Sequence, residues 1–278
     1  MSYSEMSTHT HHTRHTPYTS ILAPNASVMT GPGTNTIVLG DGIEGATVID
    51  PACDNQEHLE AIIREGAERG GIRRILITHG HPDHVGGALA LRKELRVSIY
   101  AFSREGTPEV DEEVPDGMLF PAGNDTLRAV HTPGHRFDHL CFYLEQQHIL
   151  FAGDLISGVG TVVIAPPEGD MLAYLASLKR LQGMDIVEIV PAHGAAITEP
   201  QAKITEYIMH RLQREQQVLD VLATFPAGAT IPVLVQHIYA DVDPRLHTLA
   251  GYSVEAHLLK LAHEGKARRV DADKWTLA

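Results

Sequence analysis

The chain has 278 residues, 43% of them hydrophobic and 21% charged, which suits a globular protein with a full core and room for a second, smaller unit. Its formal net charge is −13, and residues 200–278 hold nine Lys/Arg and nine Asp/Glu, so the acidic excess lies in residues 1–199. That balance argues against a large polyanion as main partner, because phosphate-backbone binding rests on Lys and Arg. No apolar run approaches the roughly 18 residues needed to cross a bilayer, and the N-terminus lacks a basic-then-apolar leader. A cytoplasmic protein with no membrane partner is expected. Cys53 and Cys141 are far apart and form no C-x-x-C pair, so neither a redox motif nor a disulfide framework is expected.

Residues 1–19 are rich in Thr, Ser and His (His9, His11, His12, His15) with little to bury, which predicts a disordered tail. Thr36 to Leu39 and Thr47 to Asp50, around Gly40-Asp41-Gly42, read as a hairpin. Asp54 and Glu57 form a capping-box-like pair ahead of a helix whose Leu59, Ile62, Ile63 and Ala67 share a face, and Gly70-Gly71 ends it. A strand from Arg74 to Thr78, a helix from His84 to Leu95 and a strand from Val97 to Phe102 follow. The alternation is α/β. Ser103 to Gly123 is acidic and rich in Pro and Gly, and reads as a solvated loop or a substrate-gating flap.

Thr126 to His131, Leu140 to Leu144 and His148 to Ala152 read as three strands. A helix carrying Leu172, Leu175, Leu178 and Leu181 starts at Asp170 and stops at Gly183, and Ile186 to Val190 is one more strand before Pro191-Ala192-His193-Gly194. Beyond Pro200 the pattern turns helical: Ala202 to Leu222, Ile231 to Tyr239 and Val254 to His263, then a hairpin of Ala267 to Val270 with Trp275 to Leu277. Three helices and a terminal hairpin suggest a winged-helix-like module. The expected division is a tail over 1–19, a catalytic unit over 20–199 and the module over 200–278.

The chemistry concentrates in Thr78-His79-Gly80-His81-Pro82-Asp83-His84, three imidazoles and a carboxylate directly after the apolar Ile75-Leu76-Ile77. Imidazole and carboxylate suit zinc, iron or manganese, and no cysteine stands nearby to make a structural zinc finger. Three more segments end strands with ligand-type residues: His135 in Thr132-Pro133-Gly134-His135, Asp154 in Ala152-Gly153-Asp154, and His193. A single catalytic zinc uses about three protein ligands, so five His and two Asp imply a pair of metals about 3.5–4 Å apart. The cofactor expectation is therefore two divalent ions, zinc first, with manganese or iron as alternatives.

These segments, all in order, resemble the five motifs of the metallo-beta-lactamase superfamily across about residues 20–200. The C-terminal third, with Ile208-Met209-His210-Arg211, Glu215-Gln216 and Tyr239-Ala240-Asp241-Val242-Asp243-Pro244, resembles its lactamase-beta-2-like subgroup. The resemblance implies a four-layer αββα sandwich with metals held at one edge. It implies His79, His81 and His135 on the first metal, Asp83, His84 and His193 on the second, and Asp154 between them. Asp50 matches a position that supports the ligands from behind, against the plainer reading of a turn residue before Pro51. His131, Asp138 and His139 are read as structural, with Asp138 and His139 alternatively supporting the ligands or the pocket.

The implied activity is hydrolysis by a hydroxide bridging two metals and oriented by Asp83, with either Asp83 or a metal-bound water protonating the leaving group. Lactamases of this fold lack the bridging aspartate, so Asp154 points to thioester, lactone or phosphodiester hydrolysis instead. A small-molecule acyl substrate ranks ahead of RNA, whose cleavage by a single-strand endoribonuclease is the alternative. DNA is disfavoured as a partner: Val254 to His263 carries Lys260 as its one Lys or Arg. The module is expected to pack over the active site or to mediate a homodimer. A di-iron flavin-linked redox enzyme has no room for its flavin domain, and a mono-iron persulfide oxidiser would need fewer ligands.

Overall fold

The computed structural model describes residues 16–278. Most of the expected tail, including His9, His11, His12 and His15, lies outside them. Its last residues are a correction: β1 (Tyr18–Leu22) pairs with β2 (Asn35–Leu39), Tyr18 opposite Leu39 and Thr19 opposite Val38. Tyr18 also sets its ring edge-on to Phe151 at 5.4 Å, an apolar anchor that the average composition of the tail conceals.

β1 and β2 continue into β3 (Ala46–Ile49), β4 (Ile72–Leu76), β5 (Ser98–Ala101) and β6 (Glu112–Glu113), a six-stranded sheet in chain order. β7 (Leu119–Ala122), β8 (Asp125–His131), β9 (Leu140–Leu144), β10 (Ile149–Gly153) and β11 (Glu188–Pro191) form a second sheet in the order β11-β10-β9-β8-β7. Period-two alternation splits the strand residues between two cores. Ile37, Leu39, Ile49 and Leu76 face Leu127, Ala129, Phe142 and Phe151 of the other sheet. Val38, Val48 and Ile75 turn outward onto α1 (Gln56–Glu68) and, past the short α2 (Pro82–Val85), α3 (Ala88–Leu95), against Leu59, Ile62 and Leu91. Each such side chain, once buried, contributes about 1.5–3 kcal/mol.

The fourth layer is α4 (Met171–Gln182) with the first half of α5 (Pro200–Ala223): Tyr174, Leu175, Leu178, Ile204 and Ile208 cover Val130, Cys141, Leu150 and Ile189. The αββα expectation holds. The second half of α5 belongs to a different core, where Val218 and Leu222 meet α6 (Ile231–Ile238), α7 (His247–His263) and the small sheet of β12 (Ala229–Thr230), β14 (Lys274–Leu277) and β13 (Ala267–Arg269). A boundary at residue 200 therefore cuts at the start of a helix that both cores share.

Local differences have local causes. The α1 cap is Asn55, whose side chain accepts from the His58 N–H, not Asp54, and Ala67 is exposed while Gly66 packs under Ile72. The helix expected from His84 to Leu95 breaks at Gly86-Gly87, where a Cβ would lie 2.7 Å from the carbonyls of Ala52 and Pro51. The acidic stretch from Ser103 is not wholly loop: Val110 and Val114 are buried, and β6 and β7 extend one sheet each. α7 begins two turns earlier than its apolar run suggests. Among the described residues no helix is long and apolar enough to cross a membrane.

Candidate metal centre

Strand direction brings the ligand segments to one edge. β3 and β4 are parallel, as are β10 and β11, and β8 runs antiparallel to β9, which is antiparallel to β10. Asp50, Thr78–His84, the loop after His131, Asp154 and His193 thus all follow C-terminal strand ends, where loops on a rigid scaffold carry chemistry.

Two groups form there. His79, His81, His135 and Asp154 present ligand atoms within 4.8 Å of one another, and so do Asp83, His84 and His193. His79 Nε2 lies 2.8 Å and His135 Nε2 3.1 Å from His81 Nδ1. Asp154 joins the groups: its Oδ2 is 3.6 Å from His135 Nε2, while its Oδ1 is 3.2 Å from His193 Nε2 and 3.6 Å from His84 Nε2. Asp83 Oδ2 closes the second group, 3.4 Å from His193 Nε2 and 3.6 Å from His84 Nε2.

The far ring nitrogens are engaged in the way metal-binding imidazoles require. His84 Nδ1 meets Asp50 Oδ2 at 2.8 Å, His135 Nδ1 the Val163 carbonyl at 2.9 Å, His193 Nδ1 the Gly33 carbonyl at 3.3 Å and His79 Nδ1 the Thr78 hydroxyl at 3.1 Å. These contacts turn the remaining nitrogens inward. His84 Nε2 and Asp154 Oδ1 are buried without a hydrogen-bond partner, a cost that a cation between them removes. Donor set, spacing and unpaired atoms all fit metal ions.

The electrostatics divide the same way. Burial, then the neighbouring imidazoles, hold His79 well below its ordinary range and push His81 down to about 4, so the first group presents neutral rings. Burial opposes charge on His84 and His193 too, yet Asp50 and Asp154 outweigh it at His84, and Asp154 and Asp83 raise His193 to about 9. Burial favours protonation of Asp83, but the His193 and His84 contacts hold it below the usual carboxylate value. The second group therefore demands positive charge.

Supporting residues resolve what the sequence left open. Asp50 stands with φ 52 and accepts from the Thr78 N–H at 2.8 Å and the Thr78 hydroxyl at 2.6 Å, besides orienting His84. It is no plain turn residue. His139 accepts the Asp154 N–H at 3.0 Å, and its Nδ1 meets the Thr132 hydroxyl at 2.9 Å, which fixes the tautomer and the Asp154 loop. Asp138 accepts the Gly80 N–H at 3.0 Å and is paired with Arg136 at 2.8 Å, so it anchors the histidine loop. His131 stacks on Phe102 at 3.9 Å and plays no part in the cluster. Thr78 and Arg136 were missed; their only sequence signal is adjacency to ligands.

A cavity of about 400 Å³ opens on His135, Asp154 and His193. Its walls are apolar at Val28, Val159, Val162, Leu246 and Leu249, residues contributed by both the sandwich and the C-terminal module. Packing of the module over the site, one of the two expected roles, is thus what the fold does.

A family model described as the metallo-beta-lactamase superfamily matches residues 29–193. The chain belongs to the metallo-beta-lactamase superfamily. A second model, the beta-lactamase associated winged helix domain, matches residues 230–275, as the helical module and terminal hairpin suggested. Among curated relatives, "Beta-lactamase-like protein 2 homolog" of Drosophila melanogaster is 36% identical over 268 residues, covering 89% of this chain and 88% of the relative. An "Atrochrysone carboxyl ACP thioesterase" of Pseudocercospora fijiensis is 33% identical over 270 residues, covering 92% and 78%. A metallo-beta-lactamase family protein from Thermus thermophilus superposes with a TM-score of 0.78 at 20% identity, covering 94% of this chain and 99% of that one. This metallo-beta-lactamase superfamily member is a hydrolase with a His/Asp cluster suited to metal ions.

Proposed function

We propose that the chain is a binuclear metal-dependent hydrolase of an ester, thioester or lactone carbonyl. The observation that carries this reading is Asp154, whose two oxygens face separate ligand groups 3.2–3.6 Å away at the mouth of an apolar cavity. His79, His81, His135 and Asp154 would hold one cation, and Asp83, His84 and His193 the other with Asp154 shared; zinc is the first expectation, manganese or iron the alternatives. When bound, such a pair supplies Lewis acidity, which polarises the carbonyl oxygen and makes water nucleophilic near neutral pH.

The chain's own residues do the rest. Asp83, with a more exposed side chain than Asp154, is kept ionised by His193 and His84 and is placed to accept the proton of the attacking water. Asp50 and His139 fix the two elements that must not move, the His84 ring and the Asp154 backbone. Val28, Val159 and Leu246 line the cavity with apolar surface that suits an acyl chain, which supports the small acyl substrate. The name of the thioesterase relative supports the same ranking.

The test is turnover by metal-loaded protein on a panel of thioester, lactone, beta-lactam and single-stranded RNA substrates. Hydrolysis of thioester or lactone is the expected result. Turnover of RNA alone would overturn it.

A further inference from the structure

The cavity wall formed by α5 carries His210, Arg211 and Arg214 within about one turn, and burial with the two arginines holds the His210 imidazole below its ordinary range, so the arginines carry the charge. Arg211 is only 2% exposed. Its Nη2 donates to the Thr161 hydroxyl at 3.2 Å and to the Val162 carbonyl, and its guanidinium lies 5.2 Å from the Tyr174 ring centre. Its Nε is buried with no hydrogen-bond partner, and among the described residues no carboxylate comes within 4.0 Å of the guanidinium. Arg214 is half-buried: Nη1 donates to Gln217 at 2.8 Å and to the Ile238 carbonyl at 3.3 Å, the group sits 4.5 Å from the Tyr239 ring centre, and among the described residues no acid comes within 4.0 Å of it.

An arginine cannot shed its charge, so burial without an acid leaves a positive site that an anion stabilises. The nearest acid on α5 is already committed, Glu215 accepting from Lys260 at 2.9 Å. Other buried arginines of this chain do have acids: Arg69 pairs with Glu65 at 2.6 Å and Arg136 with Asp138 at 2.8 Å. Two arginines on one cavity wall with no acid opposite them, in a chain of net charge −13, mark a place built for a negative group. The remaining lining, including Val159, Val162 and Leu249, suits a methylene chain better than a polyanion.

We propose that Arg211, assisted by Arg214, forms an anion subsite for a carboxylate at the distal end of the acyl group, making the enzyme selective for acyl substrates that carry a second, terminal carboxylate. The proposal rests on the acyl-hydrolase reading above. The contacts of Nη2 with Thr161 and Val162 fix the guanidinium against the loop lining the cavity and leave the Nη1 protons to meet a carboxylate oxygen. Arg211 is thus a binding residue that belongs to neither ligand group.

The test measures calorimetric binding of glutarate, adipate and suberate to metal-loaded protein against pentanoate, hexanoate and octanoate, each diacid matched to a monoacid of equal carbon number. At least one diacid should bind about tenfold tighter than its match, the worth of one charge-assisted contact. Arg211→Gln should bring that ratio to about one, and Arg211→Lys should keep part of it. If Arg211→Gln does not fold, Arg214→Gln serves, with the ratio lowered. Equal binding of every pair by the wild type, or a ratio unmoved in the variants, overturns the subsite.

Turnover of S-phenyl thiopentanoate and the mono-S-phenyl thioester of glutaric acid separates the two ideas. Failure to hydrolyse either, with diacid preference intact, sinks the acyl reading and leaves the subsite. Displacement of the diacid by a short oligoadenylate, lost in Arg211→Gln, would put a phosphodiester there instead and overturn the carboxylate.

Discussion

His84 Nδ1 lies 2.8 Å from Asp50 Oδ2, although the two residues are 34 positions apart, Asp50 directly after β3 and His84 in α2 beyond β4. The contact turns His84 Nε2 toward Asp83 and Asp154 and leaves it without a hydrogen-bond partner. Asp50→Asn keeps the size of the side chain but replaces one accepting oxygen with an amide. The variant should remain folded and lose about 10–100-fold in affinity for the ion of the His84 group. Titration of the apo protein with zinc, read by metal content after dialysis, checks this.

Asp83 and His131 are both close to the cluster in sequence but have opposite surroundings. Asp83 faces His193 and His84, while His131 stacks on Phe102 and its Nε2 meets the Phe137 carbonyl at 2.8 Å. Asp83→Asn should cost about 10²–10⁴ in kcat/KM on a thioester, and His131→Asn less than about threefold. Equal losses contradict the roles.

The Asp154 backbone is fixed by a neutral ring. Burial, then the nearby imidazoles, hold His139 well below its ordinary range, so its Nε2 is free to accept the Asp154 N–H. His139→Leu leaves that N–H unpaired and should cost about 1–3 kcal/mol of stability, with reduced metal content of both groups because they share Asp154. Thermal unfolding and elemental analysis of the same sample measure the two effects.

The catalytic unit was largely legible in the sequence because each ligand segment follows an apolar run of strand length, and α/β folds present loops at strand ends. The seven ligand candidates come together at one edge of the sandwich in two neighbouring groups. What escaped was carried by tertiary contact. Tyr18 joins the sheet although its neighbours read as a polar tail; Asn55 wins the cap because its side chain reaches the His58 N–H; β6 and β7 follow from neighbouring strands, not from propensity. His139 and Asp138 could not be ranked from spacing, since their partners Asp154 and Gly80 lie 15 and 58 positions away.

Gly80 tests the close packing behind the histidine loop. A Cβ there would fall 1.9 Å from the Gly106 carbonyl oxygen, so Gly80→Ala must push apart two backbones. The expected result is a loss of about 1–3 kcal/mol in stability and of metal binding by His79 and His81 together. Gly80 has no positive φ, so its cost is the clash alone; Gly117→Ala, whose Cβ meets nothing within 4 Å, carries only the strain of its φ of 82 and should leave metal binding unchanged.

Between α5 and α7, buried Glu215 accepts from Lys260 at 2.9 Å. Burial raises its pKa, but His257 and Lys260 outweigh that and hold it below the ordinary value. A depressed folded-state pKa means that the stabilisation is present above the unfolded value of about 4.3 and is lost as pH falls through the folded one. Because Lys260 keeps Glu264 at 2.7 Å, Glu215→Gln should cost about 1–3 kcal/mol at neutral pH, the gap to wild type closing in more acidic solution. Urea denaturation at a series of pH values measures it.

Anomalous diffraction from crystals of metal-loaded protein bears most directly on the centre. The expected result is two peaks about 3.5–4 Å apart, one among His79, His81 and His135, one among Asp83, His84 and His193, with Asp154 reaching both. A single peak, or two peaks that Asp154 does not join, would contradict the binuclear account.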